Sequence, residues 1–257
     1  MTTLKLQPGI IYGPISSRRF GPSLGINLLP PDMKVCSFNC VYCHYGWTFM
    51  HTNDTSFIAD SFPSIRSVER ALEEALGGAL GDDEPPAVIT FSGNGEPTLH
   101  PEFPSVVDVV LAVRDRLAPA VPVQALSNST TLSRDDVVEA LRRLDRRVMK
   151  LDAGNEELLA AVNRPLAGID LGGIVEGLRR LGEVVVQSAF MAGTVNNSGE
   201  AAVGAWLRRL RMISPTEVQI YTLDRPTADS ALERIETARL EEIAALVREA
   251  GIPATVF

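Results

Sequence analysis

Cys36-Ser37-Phe38-Asn39-Cys40-Val41-Tyr42-Cys43 contains every cysteine of a 257-residue chain. Random scatter does not put all the thiols of such a chain into one short stretch, so the three act together. Soft thiolates at this spacing select zinc, copper(I) or an iron–sulfur cluster. A structural zinc site and an ordinary cubane each need four protein ligands. Zinc can complete its set with His44, although sequence neighbours such as Cys43 and His44 rarely reach one tetrahedral ion together. A disulfide leaves an odd thiol over, and buried structural cysteines have no reason to cluster. The reading that remains is a cubane on three thiolates, with one iron open to an exchangeable ligand. That is a catalytic arrangement.

Upstream, Leu24-Gly25-Ile26-Asn27-Leu28-Leu29 is a short apolar strand stopped by Pro30-Pro31. The cysteines therefore follow the carboxyl end of a strand, where α/β barrels keep their active sites. Residues 7–23 are rich in Gly, Pro, Ser and Arg, so residues 1–23 are expected as a loop-rich extension. Within it, Arg18 and Arg19 either clamp a phosphate or carboxylate or pair with acidic neighbours at the surface. Downstream, residues 44–64 form a long connection bearing Tyr45, Trp47, Phe49, His51 and Phe57. It reads either as an ordered flap or as aromatic packing over a barrel mouth.

From residue 66 onward helices and strands alternate. Val68, Ala71, Leu72, Ala75 and Leu76 mark an amphipathic helix, weakened at Gly77, Gly78 and Gly81. A solvated turn over Asp82-Asp83-Glu84-Pro85-Pro86 follows. Strands are expected at 87–91, 122–126, 147–152, 183–190 and 217–222, and a last short one at 253–257. Helices are expected at 104–117, 133–143, 155–162, 171–181, 199–211 and 236–249. Counted from residue 24, this makes six β/α units, hence an α/β fold with a parallel sheet and outer helices. No repeat, low-complexity block or linker divides the chain, so 1–257 reads as one domain.

The other strand ends carry polar groups. Ser92-Gly93-Asn94-Gly95-Glu96-Pro97-Thr98 has glycines that admit a ligand close to the backbone, and Glu96 can accept hydrogen bonds from an ammonium group. Ser127 and Asn128 either bind a ligand or start the turn into the next helix. Strand alternation turns Lys150 and Asp152 to one side, an expensive pair inside a barrel unless matched or ligand-bound. Asn163-Arg164-Pro165 either caps a helix or reaches the mouth. Gln187 interrupts an apolar strand, to be satisfied within the core or to contact ribose or substrate. Tyr221 is either core or site, and the Asp224-Arg225-Pro226 turn sets both charges beside it.

Lys plus Arg number 24 against 32 Asp plus Glu, a net charge of −8, which disfavours a broad grip on nucleic acid. The N-terminus lacks the apolar core of a signal peptide, and no run approaches the ~18 apolar residues of a membrane span. A cytoplasmic protein with reduced thiols is the expectation.

Cys36-x3-Cys40-x2-Cys43, with Tyr42 before the third cysteine, resembles the signature of radical S-adenosylmethionine (SAM) enzymes. The resemblance implies a [4Fe-4S] cluster on Cys36, Cys40 and Cys43, with SAM chelating the open iron through its amino and carboxylate groups. It places Tyr42 near the adenine. Gly95-Glu96 is similar to the end of the superfamily's Gly-Gly-Glu motif, which holds SAM's amino group, with Asn94 as the departure. Ser127-Asn128 is similar to a Ser/Thr-Asn segment beside SAM's methionine part, and Asp152, Gln187 and Tyr221 complete the expected cofactor contacts. The implied fold is a partial (β/α)6 TIM-like barrel, in agreement with the six units counted above. Across nearly its whole length the chain is similar to short radical SAM proteins often labelled iron–sulfur oxidoreductases, related to wyosine-type tRNA base synthases.

The implied activity is reductive cleavage of SAM, fed by a low-potential donor of flavodoxin or ferredoxin type. A 5′-deoxyadenosyl radical then abstracts hydrogen from a substrate. No cysteine is left for an auxiliary all-cysteine cluster. Arg18, Arg19, His44, Lys150, Arg164 and Arg225 are the candidate substrate contacts, and so much positive charge in an acidic chain points to a small anionic substrate. The alternatives are tRNA-base modification and a non-catalytic redox sensor, though a sensor has no need of Glu96 as an ammonium clamp.

Overall fold

The computed structural model describes residues 3–79 and 85–257. The chain opens with an antiparallel hairpin of β1 (Ile11–Ser17) and β2 (Gly21–Ile26). The short strands β3 (Val35–Cys36) and β4 (Met50–His51) come next, then α1 (Ile65–Glu74), β5 (Val88–Phe91), α2 (Phe103–Leu117) and β6 (Val123–Ser127). These lead into α3 (Asp135–Arg142), β7 (Arg146–Lys150), α4 (Glu156–Val162), α5 (Leu171–Leu181), β8 (Val185–Ala189) and β9 (Met191–Gly193). The chain ends with α6 (Glu200–Ile213), β10 (Glu217–Tyr221), β11 (Leu232–Arg234), α7 (Thr237–Glu249) and β12 (Ala254–Val256).

One eight-stranded sheet runs in the order β1-β2-β5-β6-β7-β8-β10-β12. Every neighbouring pair from β2 to β12 is parallel. The carboxyl ends Ile26, Phe91, Ser127, Lys150, Ala189 and Tyr221 therefore share one rim, the rim on which such folds place their chemistry. Strands β5 and β8 are buried along their whole length, as a sheet with layers on both faces requires. The outer layer is made of amphipathic helices, of which α5 is representative. Asp170 caps it, accepting from the Gly173 N–H at 2.7 Å, and Leu171, Ile174, Val175, Leu178 and Leu181 recur along its buried face. Each such fully buried side chain contributes about 1.5–3 kcal/mol. Gly182, at φ +68°, ends the helix where a left-handed residue is needed.

Two expectations need correcting, and one pair of readings is decided. Residues 11–17, read as loop, form β1. As the edge strand it tolerates Pro14, and its register shifts between Tyr12 and Ile15, around the Gly13-Pro14 pair that hid the strand. The strand expected at 24–29 stops at Ile26 because the Asn27 amide turns the chain. Its Oδ1 accepts from the Leu29 N–H at 3.3 Å and its Nδ2 donates to the Leu29 carbonyl at 3.0 Å. The 44–64 connection is the ordered one of the two readings, held through β4; Tyr45 lines the cavity, whereas Trp47, Phe49 and Phe57 are exposed. Gly81 and the turn expected at Asp82–Glu84 lie outside the described residues.

Candidate functional site

The cysteine loop is sewn to the rim by backbone hydrogen bonds. The Val35 N–H donates to the Asn94 carbonyl (3.0 Å) and the Glu96 N–H to the Val35 carbonyl (3.1 Å). On the other side, the Asn39 and Val41 N–H groups donate to the carbonyls of Asn163 (2.9 Å) and Val162 (3.0 Å) at the end of α4. Gly95 makes this seat possible. Its φ is +141°, and a Cβ there would lie 1.8 Å from the Val35 oxygen.

Cys36 is buried, while Cys40 and Cys43 are half-buried. The Cys36 Sγ accepts from Asn128 Nδ2 at 3.5 Å and the Cys40 Sγ from Asn163 Nδ2 at 3.4 Å. Burial pushes the Cys36 thiol up to about 12 and the Cys40 thiol higher still, so both stay neutral until a metal displaces their protons. The donor set fits an iron–sulfur cluster, with three sulfurs on one loop and amide N–H groups aimed at two of them. Among the described residues no three His, Cys, Asp or Glu side chains converge on one ion, and each thiolate of a cubane sits on a different iron. The His44 Nδ1 instead lies 3.2 Å from the Pro226 carbonyl oxygen.

Glu96 is 2% exposed and faces inward from the turn after β5. Thr98 donates twice to its Oε1, from N–H (3.1 Å) and O–H (2.6 Å), and the Asn128 N–H donates to its Oε2 at 2.6 Å. Of about four acceptor positions on a carboxylate, three are taken by these donors. Glu96 thus ties the β5 and β6 ends together. The Ser127 Oγ accepts from the Ser129 N–H at 3.1 Å, and its hydroxyl also donates to the Glu96 carboxylate.

Asp152 is the hub of the rim. Lys150 Nζ (3.0 Å) and the Ala189 N–H (2.8 Å) reach its Oδ1, while the Tyr42 hydroxyl (2.5 Å) and Asn163 Nδ2 (2.8 Å) reach its Oδ2. Four donors thus meet this carboxylate, which braces the cysteine loop from below. The Tyr42 hydroxyl points at Asp152, while the residue also lines a cavity beside Cys43. Lys150 Nζ also donates to the Tyr221 hydroxyl at 2.6 Å. Burial alone would lower the Lys150 ammonium, but Asp152 and Tyr221 outweigh it and hold it above its ordinary value. Gln187 is satisfied in the core, its Nε2 donating to Gln219 Oε1 at 3.1 Å.

A cavity of about 470 Å³ opens between the cysteine loop and the β1–β2 hairpin, lined among others by Arg19, Cys43, His44, Gly95, Tyr221 and Arg225. The N-terminal segment crosses it. The Leu4 N–H donates to the His44 carbonyl (2.7 Å), the Gln7 N–H to Asn94 Oδ1 (2.7 Å) and Gln7 Nε2 to the Tyr45 hydroxyl (3.0 Å). Of the candidate substrate contacts, Arg19, His44 and Arg225 come to this cavity; Arg18, Lys150 and Arg164 do not. Arg18 is exposed and paired with Asp224 at 2.6 Å, Lys150 lies behind Tyr221, and the Arg164 guanidinium stacks 4.7 Å from the centre of the Trp47 ring. Sequence reading missed Tyr12 and Gln7 as cavity residues and Asn163 as a donor to sulfur. The sequence left Asn163 between a helix cap and the mouth, and nothing in either reading names a partner 123 positions away.

The model of the Radical SAM superfamily matches residues 31–198. A UPF0026 protein of Synechocystis sp. is 31% identical over 229 residues, covering 87% of this chain and 78% of that protein. A protein named GTPase Obg from Brachyspira hyodysenteriae is 29% identical over 246 residues, and the chain spans 34% of its length. No lysine here follows a glycine, so the sequence contains no phosphate-binding Gly-Lys loop. Among solved structures, a radical SAM methyltransferase from Sphaerobacter thermophilus superposes with a TM-score of 0.68 at 17% identity, over 91% of this chain and 65% of that one. TYW1 with a lysine-pyruvate adduct bound gives a TM-score of 0.55 at 13% identity, over 88% and 73%. At such identities the likeness is one of fold.

Proposed function

The chain belongs to the radical SAM superfamily and groups with the UPF0026 proteins, and from that premise we propose that it cleaves SAM reductively to act on a small anionic substrate. Cys36, Cys40 and Cys43 would hold a [4Fe-4S] cluster, and SAM would lie toward Gly95 and Glu96. When bound, this pair supplies the 5′-deoxyadenosyl radical for hydrogen abstraction, with the electron drawn from an external low-potential donor. The observation that carries the reading is the loop itself. Its three thiols are the chain's only ones, two carry amide donors from the rim, and the third borders the cavity.

The chain's own residues do the rest. Asn128 and Asn163 orient the sulfurs and moderate their charge. Gly95 lets the loop close on the strand end. Glu96 would accept from an ammonium group, and its burial makes such a charge-assisted bond count for more than in water. Leu4, Lys5 and Gln7 line the cavity and would narrow the access of water, which protects reactive species.

The test is anaerobic. Cluster-loaded protein reduced with dithionite should convert SAM to methionine and 5′-deoxyadenosine. Glu96→Ala should weaken SAM about ten- to hundredfold, the loss of one charge-assisted hydrogen bond. A cluster that reduces and reoxidises while SAM stays intact would support the redox-sensor alternative instead.

A further inference from the structure

We propose that Arg19 and Tyr221 form the seat for an oxyanion of the substrate, a carboxylate or a phosphate. The proposal rests on the reading above, that a small anionic substrate enters the cavity beside Cys43.

Both groups are donors without acceptors. The Arg19 Nε and Nη1 are buried, and among the described residues neither finds a hydrogen-bond partner. A guanidinium cannot shed its charge, so leaving two of its N–H groups buried and unmatched is expensive. Burial already lowers its pKa. The guanidinium lies 4.6 Å from the centre of the Tyr221 ring and 6.0 Å from that of Phe257, which fixes its plane without supplying an acceptor. Tyr221 presents the same imbalance. Its oxygen accepts from Lys150 Nζ, and an ammonium has no lone pair to take a proton back. The phenol hydrogen is therefore left over, and among the described residues it meets no acceptor.

Both groups border the same cavity, whose wall includes Lys5, Arg19 and Arg225 and no Asp or Glu. That is notable in a chain with 32 acidic against 24 basic residues. A group that only accepts hydrogen bonds and carries negative charge is what these donors lack. Arg18, one position away, is unsuited to the task, because Asp224 already holds it at the surface.

The experiment uses cluster-loaded, SAM-saturated protein, titrated separately with inorganic phosphate and with acetate while the unfolding midpoint is followed. At least one anion should raise the midpoint saturably, and the anion that acts at lower concentration identifies the group. Arg19→Gln should raise its half-saturating concentration about ten- to hundredfold. Tyr221→Phe keeps the ring under the guanidinium and should raise it roughly two- to tenfold. Arg18→Gln should match the wild type. The proposal is overturned if neither anion gives a saturable response, or if Arg19→Gln and Tyr221→Phe both respond as wild type. It is also overturned if Arg19→Gln loses affinity for SAM rather than for the anion, since the seat would then belong to SAM's own carboxylate. Iron content and SAM cleavage on the same wild-type preparation separate the two readings. Their failure is a failure of the proposed function, whereas their success without an anion response rejects the seat alone.

Discussion

At the scale of single residues, the site depends on contacts that leave no slack. Gly95 tolerates no side chain, because its backbone is left-handed and Val35 lies where a Cβ would stand. Gly95→Ala should cost about 2–4 kcal/mol in urea unfolding and shift the strand that carries Cys36. Wild-type stability in that variant would mean that the cysteine loop is not seated on this turn. Asn163 uses both amide hydrogens, one on the Cys40 sulfur and one on Asp152. Hydrogen bonds to cluster sulfurs raise the reduction potential. Asn163→Ala should therefore lower it in a redox titration followed by electron paramagnetic resonance, and an unmoved potential would remove Asn163 from the cluster's surroundings.

At the scale of elements, the departure from the Gly-Gly-Glu pattern acquires a structural reason. Asn94 is fully buried and donates to the carbonyls of Gln7 and Pro30, both at 3.0 Å, while accepting from the Gln7 N–H. It fastens the N-terminal segment across the cavity, which glycine could not do. Asn94→Gly should ease local opening of that segment by about 2–3 kcal/mol, visible as faster amide hydrogen exchange at Gln7 with slow exchange kept in β5. Equal exchange in variant and wild type would show that the segment is held by other contacts. Farther from the site, Asp145 joins α2 to β6, accepting from Arg114 Nη1 (2.8 Å) and the Val123 N–H (2.7 Å). Burial pushes its carboxyl up, but the Val123 N–H and Arg114 outweigh this and hold it below the ordinary carboxylate value. A carboxyl lowered in the folded state stabilises above its unfolded value, ~3.9, and loses that contribution as pH falls through the folded one. The stability gap between wild type and Asp145→Asn should close over that acid range. A gap independent of pH would assign the effect to packing.

At the scale of the molecule, the sheet opens with the β1–β2 hairpin and ends on β12, and Arg19 lies between Tyr221 of β10 and Phe257 next to β12. Much of this architecture was legible in the sequence. Parallel strands covered on both faces read as apolar runs, and the helix expected at 171–181 has those bounds. Edge strand β1 was not legible, because its mostly exposed residues carry little apolar pattern and Gly13-Pro14 interrupts its register. The three thiols and the rim turns were legible because short motifs carry them. The choice between Arg18 and Arg19 was not, since it depends on Asp224, 206 positions away. Nor was the choice between core and ligand for Gln187, which its neighbour Gln219 decides. The central claim is that three thiolates hold an open cubane on this rim. Iron and acid-labile sulfide per chain, measured after anaerobic reconstitution, test it most directly. The account predicts about four of each in the wild type, and loss of the cluster in Cys36→Ala, Cys40→Ala and Cys43→Ala. Stoichiometric zinc in anaerobically purified protein, with no iron–sulfur absorption on reconstitution, would contradict it.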